Sequence, residues 1–171
     1  MAASIEVLEM RHGLGSEHPL CDRVQLFMLV LFFGVWGIDL LSFFLFEYST
    51  VVFHALSFSL LLVGTILFIG FSTFLVSKSH KAALEQVHDP PELVDSGVYG
   101  WVRHPLYLGI LLFCLAFLFV GVSLVSVAIW IAFFIFYDRM ATYEERSLIE
   151  ILGERYVDYQ KRVSKWFPGI Y

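Results

Sequence analysis

The sequence predicts an all-α polytopic membrane protein: two full transmembrane spans, a short transmembrane helical hairpin and a C-terminal cytoplasmic amphipathic helix. Three observations predict it. The 171 residues are 58% hydrophobic and 18% aromatic, against roughly 45–50% apolar for an ordinary soluble domain. Two apolar stretches, residues 24–46 and 51–76, each exceed the ~20 residues that cross a ~30 Å hydrocarbon core. Almost all charge lies before, between or after the apolar stretches.

The elements follow in order. Residues 1–23 form a cytoplasmic N-terminal segment. Its first twenty residues carry no basic start followed by an apolar core and a small-residue cleavage site, so the first span is expected to direct insertion. Residues 24–76 hold transmembrane helices 1 and 2. The only Asp, Glu, His, Lys or Arg residues there are Asp39, His54 and a boundary glutamate, Glu47. Ionisable groups within spans are functional candidates by default. Asp39 and His54, however, flank the short first loop on the non-cytoplasmic side, which favours a structural pair or interface-facing groups.

Residues 77–105 form a cytoplasmic loop. The apolar region 106–137 would be about 48 Å long as one helix, too long for one ordinary span and rather short for two. Gly121 and Ser123 interrupt it, so it reads as a tight hairpin, transmembrane helices 3 and 4, turning near residues 120–123. Residues 138–171 form the cytoplasmic C-terminal segment. There Ile149, Leu152, Tyr156, Tyr159 and Val163 recur at three- and four-residue spacing, which gives a helix one apolar face. Gly153 is expected to cap or bend that helix, and Trp166-Phe167-Pro168 to anchor at the membrane interface. Cys21 and Cys114 suggest no disulfide framework.

Charge placement sets the expected topology. All eleven Lys and Arg residues lie before the first span, between the second span and the hairpin, or after the hairpin. An even number of crossings puts them on one face, which the positive-inside rule makes cytoplasmic. The net charge of −5 does not oppose this, because acidic residues weigh little in that rule. Both termini, the loop and the C-terminal segment then share the cytoplasmic side.

Two polar constellations fall there. In the first, Arg103 and His104 precede Pro105, which suits the first turn of a helix because its missing N–H would have no partner. A helix start offers free N–H groups and partial positive charge, suited to a carboxylate or phosphate. Tyr107 shares the face of His104, and Gly109 admits close approach of another helix or a ligand. Read blandly, Tyr99, Trp101, Arg103 and Tyr107 are an interfacial anchor among lipid headgroups. In the second, Glu144-Glu145 are adjacent carboxylates that repel each other unless paired. They suit ribose hydroxyls or an ammonium, or pairing with Arg103 or Arg139; the bland reading is a solvated turn of a surface helix. No glycine-rich dinucleotide or phosphate loop and no zinc motif appears, so a soluble cofactor would be held by helix ends and short loops.

Residues 96–109, Ser-Gly-Val-Tyr-Gly-Trp-Val-Arg-His-Pro-Leu-Tyr-Leu-Gly, are followed by Glu144-Glu145, the run from Gly153 to Val163 and a terminal Trp-Phe-Pro-Gly-Ile. Together these closely resemble the signature of the membrane methyltransferases of the isoprenylcysteine carboxyl methyltransferase and phospholipid methyltransferase superfamily. The resemblance covers about residues 94–171. It implies an integral enzyme that uses S-adenosylmethionine without a Rossmann domain. It also implies that His104, Tyr107, Leu108 and Gly109 lie beside the cofactor, with Gly97, Tyr99 and Gly100 shaping the preceding loop. Glu144 and Glu145 would bind the adenosyl or amino-acid part, with Tyr156 also in the cofactor set. Arg162 would face the acceptor, and Arg103 joins it as a catalytic candidate.

The expected partners are membrane lipids and a lipid-like or apolar acceptor, with no nucleic acid and no metal. Carboxyl O-methylation is favoured over ethanolamine N-methylation of a phospholipid. Membrane sterol and steroid reductases share a similar Arg-His-Pro-x-Tyr signature and use NADPH, which keeps a reductase open, and a non-enzymatic membrane scaffold is the remaining alternative.

Overall fold

A computed structural model describes residues 21–46, 51–52, 58–85 and 93–169. In chain order the elements are α1 (Cys21–Phe46), β1 (Val51–Val52), α2 (Phe58–Glu85), a single 3-10 turn (Gly97–Gly100), α3 (Pro105–Val120), β2 (Val122–Ser123), α4 (Leu124–Leu152) and α5 (Glu154–Arg162). The all-α polytopic expectation holds. Helices α1, α2 and α4 are long and apolar enough to cross a membrane. Helix α3, with 16 residues, is about 24 Å long, short of a ~30 Å core. The described residues divide into two compact units, one apolar (within Leu20–Phe74 and Gly109–Tyr137) and one polar (within Leu75–Leu108 and Asp138–Tyr171).

In the apolar unit large hydrophobic residues such as Leu26, Phe27, Leu67 and Ile135 face outward, as lipid solvent allows. Apolar burial gives little drive between helices in lipid, so close packing and interhelical hydrogen bonds must hold them. The unit supplies both. Ser72 on α2 donates to the Gly109 carbonyl on α3 at 2.7 Å, and Thr65 reaches the Ala116 carbonyl at 3.4 Å. Phe33 meets Phe117 edge to face at 4.9 Å between ring centroids.

The hairpin turn falls at Gly121, between α3 and β2, as the sequence predicts. Trp36 donates its indole N–H to the Gly121 carbonyl at 3.1 Å, and Ser123 caps α4 by accepting the Ser126 N–H at 3.2 Å. β1 and β2 pair antiparallel, Val51 with Ser123 and Val52 with Val122. That ladder puts the connection after α1 beside the turn after α3. Asp39 is half-buried on α1, and His54 lies outside the described residues.

In the polar unit, the boundary that polarity marks at residues 137–138 falls inside one continuous helix. Nothing between Leu124 and Leu152 is Gly or Pro, so α4 runs on through Glu144-Glu145 to Gly153. Gly153 has φ 59° and ψ −136°, a region suited to glycine, and there the chain turns into α5. Tyr156, Tyr159 and Val163 form the core, packed by Leu93, Leu148 and Leu152. Leu148 stands where Ile149 was expected, and Ile149 is exposed. The anchor expected at Trp166-Phe167-Pro168 is corrected at Trp166, which is buried at 8% exposure, while Phe167 is exposed.

Gly153→Ala is expected to lower stability by about 1–3 kcal/mol through backbone strain alone, since no atom lies within 4 Å of the added Cβ. Thermal unfolding in detergent checks this, and an unchanged midpoint would show that the bend tolerates a side chain.

Candidate active site

The site is built from the loop before α3, the second part of α4, α5 and the residues after it. Two glycines permit the loop: Gly97 has φ +61°, and a Cβ at Gly100 would lie 3.2 Å from the Asp95 carbonyl. Tyr99 fixes the turn from outside it, its carbonyl accepting the Tyr159 hydroxyl at 2.7 Å. Val102 then bridges Ser164 in parallel, and the Arg103 N–H donates to the Ser164 carbonyl at 2.9 Å. Pro105 opens α3, whose first bond runs from the Leu108 N–H to the His104 carbonyl at 3.0 Å.

This backbone aims Arg103, His104 and Tyr107 at Glu144 and Glu145. Arg103 donates through Nε to Glu145 Oε1 at 2.8 Å, and through Nη1 to the carbonyls of Gln160 at 3.0 Å and Val163 at 2.7 Å. His104 Nε2 lies 3.0 Å from the same Glu145 oxygen, and Nδ1 lies 3.6 Å from Glu144 Oε2. The Tyr107 hydroxyl donates to Glu144 Oε1, and its ring stacks with His104 at 5.9 Å and 8°. Gln160 donates to Glu145 Oε2 at 3.0 Å. Two cations and two carboxylates are thus held together at 6–14% side-chain exposure. Such burial is tolerated only because each charge is paired and hydrogen-bonded.

Protonation follows from this pairing. Burial alone would lower the pKa of His104, but hydrogen bonds and charge from Glu144 and Glu145 outweigh it, and the net displacement is upward. The imidazolium then donates from Nε2 to Glu145 and holds its Nδ1 side in a longer ion-pair contact with Glu144. Burial, helped by the Glu145 charge, pushes the Tyr156 phenol up, and burial raises Tyr159 likewise, so both stay neutral donors.

The structure therefore brings Arg103, His104, Tyr107, Glu144 and Glu145 into one cluster, with Tyr156 in the adjoining core. Gly97, Tyr99 and Gly100 shape the loop. Leu108 ends the polar unit on α3, and Gly109 belongs to the apolar unit. Arg162 stands apart from the cluster: it is largely exposed, pairs with Asp95 at 3.3 Å, and donates to the Asp158 carbonyl.

Sequence reasoning missed Gln160. Its signal was a polar residue set among Tyr156, Tyr159 and Val163, four residues after Tyr156. It also missed Ser164, whose buried hydroxyl has no hydrogen-bond partner among the described residues. Asp138, Lys165 and Trp166 were missed too, and these carry no local signal.

A helical integral membrane protein with a buried, charge-balanced Arg-His-Glu-Glu cluster at the start of an apolar helix is the class that fold and site define. The chain belongs to the phospholipid methyltransferase family, whose model matches residues 52–155. Three relatives are named protein-S-isoprenylcysteine O-methyltransferase. The one from Xenopus laevis is 38% identical over 90 residues, 48% of this chain and 29% of the relative. The Schizosaccharomyces pombe protein is 32% identical over 106 residues, 59% of this chain and 40% of its own length. The Homo sapiens protein is 41% identical over 85 residues, covering 48% and 29% respectively. The match thus spans well under half the length of these relatives.

A pH dependence follows from His104. Its folded pKa lies above the ordinary 6.5, so its stabilising contribution is complete below pH 6.5 and is lost as pH rises through the folded value. The unfolding midpoint is expected to fall across that alkaline window, and His104→Gln to flatten the fall. Superimposable pH profiles for the two proteins would contradict a protonated His104.

Proposed function

We propose that this chain is an S-adenosylmethionine-dependent methyltransferase that O-methylates the carboxylate of an apolar, lipid-like acceptor of the prenylated-cysteine kind. The observation that carries this reading is the buried cluster of Arg103, His104, Glu144 and Glu145, which offers both charge signs at one place. S-adenosylmethionine carries an ammonium, a carboxylate, a sulfonium and ribose hydroxyls, so the donor set fits it. Two further features support the fit. Among the described residues the Ser164 hydroxyl is buried and unpartnered, and Glu144 Oε2 has the single 3.6 Å contact from His104.

In this reading Glu144 and Glu145 take the hydroxyls or ammonium of the cofactor. Arg103, His104 and the positive end of α3 face its carboxylate. Tyr107 and Leu108 line the first turn of α3, Gly97, Tyr99 and Gly100 hold the loop open to it, and Tyr156 backs the acidic pair. Arg162 is assigned to the acceptor. When bound, the cofactor supplies an already electrophilic methyl group. The protein then contributes orientation and exclusion of water.

A carboxylate acceptor is anionic already and asks no proton transfer of the chain. That suits a cluster in which Glu145 accepts from Arg103, His104 and Gln160 and Glu144 accepts from Tyr107. The relatives' names support the same acceptor. The family description supports a second reading, N-methylation of a phospholipid amine, which requires loss of a proton from the amine. The site is assigned to the cytoplasmic side on the distribution of basic residues.

Calorimetric titration of the detergent-purified chain with S-adenosylhomocysteine is expected to show saturable binding, and a parallel titration with NADPH none. The reverse pattern would replace the methyltransferase with a reductase, and silence in both from folded protein would favour a scaffold. Glu145→Ala removes the carboxylate that Arg103 Nε and His104 Nε2 share, and is expected to weaken S-adenosylhomocysteine binding at least about 100-fold. Asp39→Asn should leave it unchanged. Labelled-methyl transfer to a farnesylated cysteine with a free carboxylate, compared with phosphatidylethanolamine vesicles, separates the two acceptor readings.

A further inference from the structure

We propose that Asp138 is a positioning residue for this site, acting through Lys165 and Trp166 on the segment that holds Arg103 and covers His104. The inference rests on the cofactor-binding reading above and assigns a residue outside the Arg-His-Glu-Glu cluster.

Asp138 and Glu145 are seven residues apart on α4. Two helical turns separate them by about 10 Å along the axis, on the same face. Residues 163–166 are pinned toward both positions. At the Glu145 end, the carbonyls of Val163 and Ser164 accept from the Arg103 side chain and the Arg103 N–H, and Arg103 itself grips Glu145. At the Asp138 end, Lys165 Nζ donates to the Asp138 carboxylate at 2.6 Å, to the Asp138 carbonyl at 3.0 Å and to the Thr142 hydroxyl at 2.9 Å. Trp166 donates its indole N–H to the same Asp138 carboxylate oxygen at 3.0 Å.

Four consecutive residues are therefore fixed, two by each end, with Trp166 buried and its ring 6.0 Å from that of His104. An indole N–H is a donor only, so its seat depends on an acceptor where Asp138 provides one. Release of Lys165 and Trp166 together would uncover His104 and slacken the carbonyls that orient Arg103. Asp138 touches neither cofactor nor acceptor; its effect passes through the segment.

The test uses the full chain in detergent with Asp138→Ala and Asp138→Asn. Asparagine keeps an oxygen acceptor for both donors, so it is the rescue variant. Two readouts are taken at fixed pH: the dissociation constant of S-adenosylhomocysteine, and the rate of His104 carbethoxylation by diethyl pyrocarbonate, followed by mass spectrometry. Asp138→Ala is expected to bind about tenfold more weakly and to label His104 severalfold faster, with Asp138→Asn close to wild type in both.

Wild-type affinity in Asp138→Ala would overturn the proposal, whatever the labelling rate. So would equal losses in the alanine and asparagine variants, since the shared acceptor would then not matter. If Asp138→Ala does not fold, Lys165→Met and Trp166→Phe each remove one donor. Partial losses in both, with faster His104 labelling, support the proposal, and unchanged binding in both overturns it. Failure of the underlying function is seen separately, because the wild-type chain itself would then not bind S-adenosylhomocysteine, and the proposal falls with it.

Discussion

The contact between Arg103 and Glu145 is the constraint on which the polar unit depends. One guanidinium accounts for a carboxylate on α4 and two carbonyls at the end of α5, so the loop before α3 and the C-terminal segment are placed by the same side chain. Its planar fork of fixed N–H groups suits several acceptors at once, which an ammonium on a flexible stem would serve less well. Replacing a buried pair with apolar groups is often neutral for stability, whereas removing one partner is costly. What the pair secures is therefore geometry more than stability. His104 could not face both Glu144 and Glu145 unless the α3 start and α4 were held in register.

The two units are organised for different solvents. In the apolar unit side chains packed inside and outside are alike in polarity, so specificity comes from small contacts such as Ser72 on Gly109 and Trp36 on Gly121. In the polar unit a conventional apolar core of Tyr156, Tyr159 and Val163 carries a charged layer above it. Among the described residues, the second arrangement is where paired cations and carboxylates are already desolvated, which suits a ligand bearing several formal charges.

Much of this was legible in the sequence. The spans follow from length and apolarity, and the hairpin turn from Gly121 with Ser123. The acidic pair and the Arg-His pair stood out as polar groups at the margins of apolar helices. What failed has specific causes. Ile149 was assigned to the buried face because the periodicity was read straight across Gly153. The turn there resets the helical phase, so Leu148 and Leu152 serve before it and Tyr156, Tyr159 and Val163 after it. The segment boundary drawn at residues 137–138 is not a helix end, because hydropathy reports the solvent around a helix and not its backbone hydrogen bonds. Trp166 looked like an interfacial tryptophan because it opens an aromatic-proline run after the amphipathic helix. The acceptor of its N–H lies 28 residues upstream, beyond the reach of any local rule.

That last contact has a topological consequence. The chain passes Asp138, runs up α4, bends at Gly153, returns along α5 and is tied back to Asp138 by residues 27 and 28 positions later. The backbone from 138 to 166 is a ring closed by hydrogen bonds instead of a covalent link. A ring cannot fray from its end as an ordinary terminal helix does. Its members are expected to stay associated until the clasp parts, so exchange of the buried amides in this stretch should be more concerted than in a helix held at one end alone.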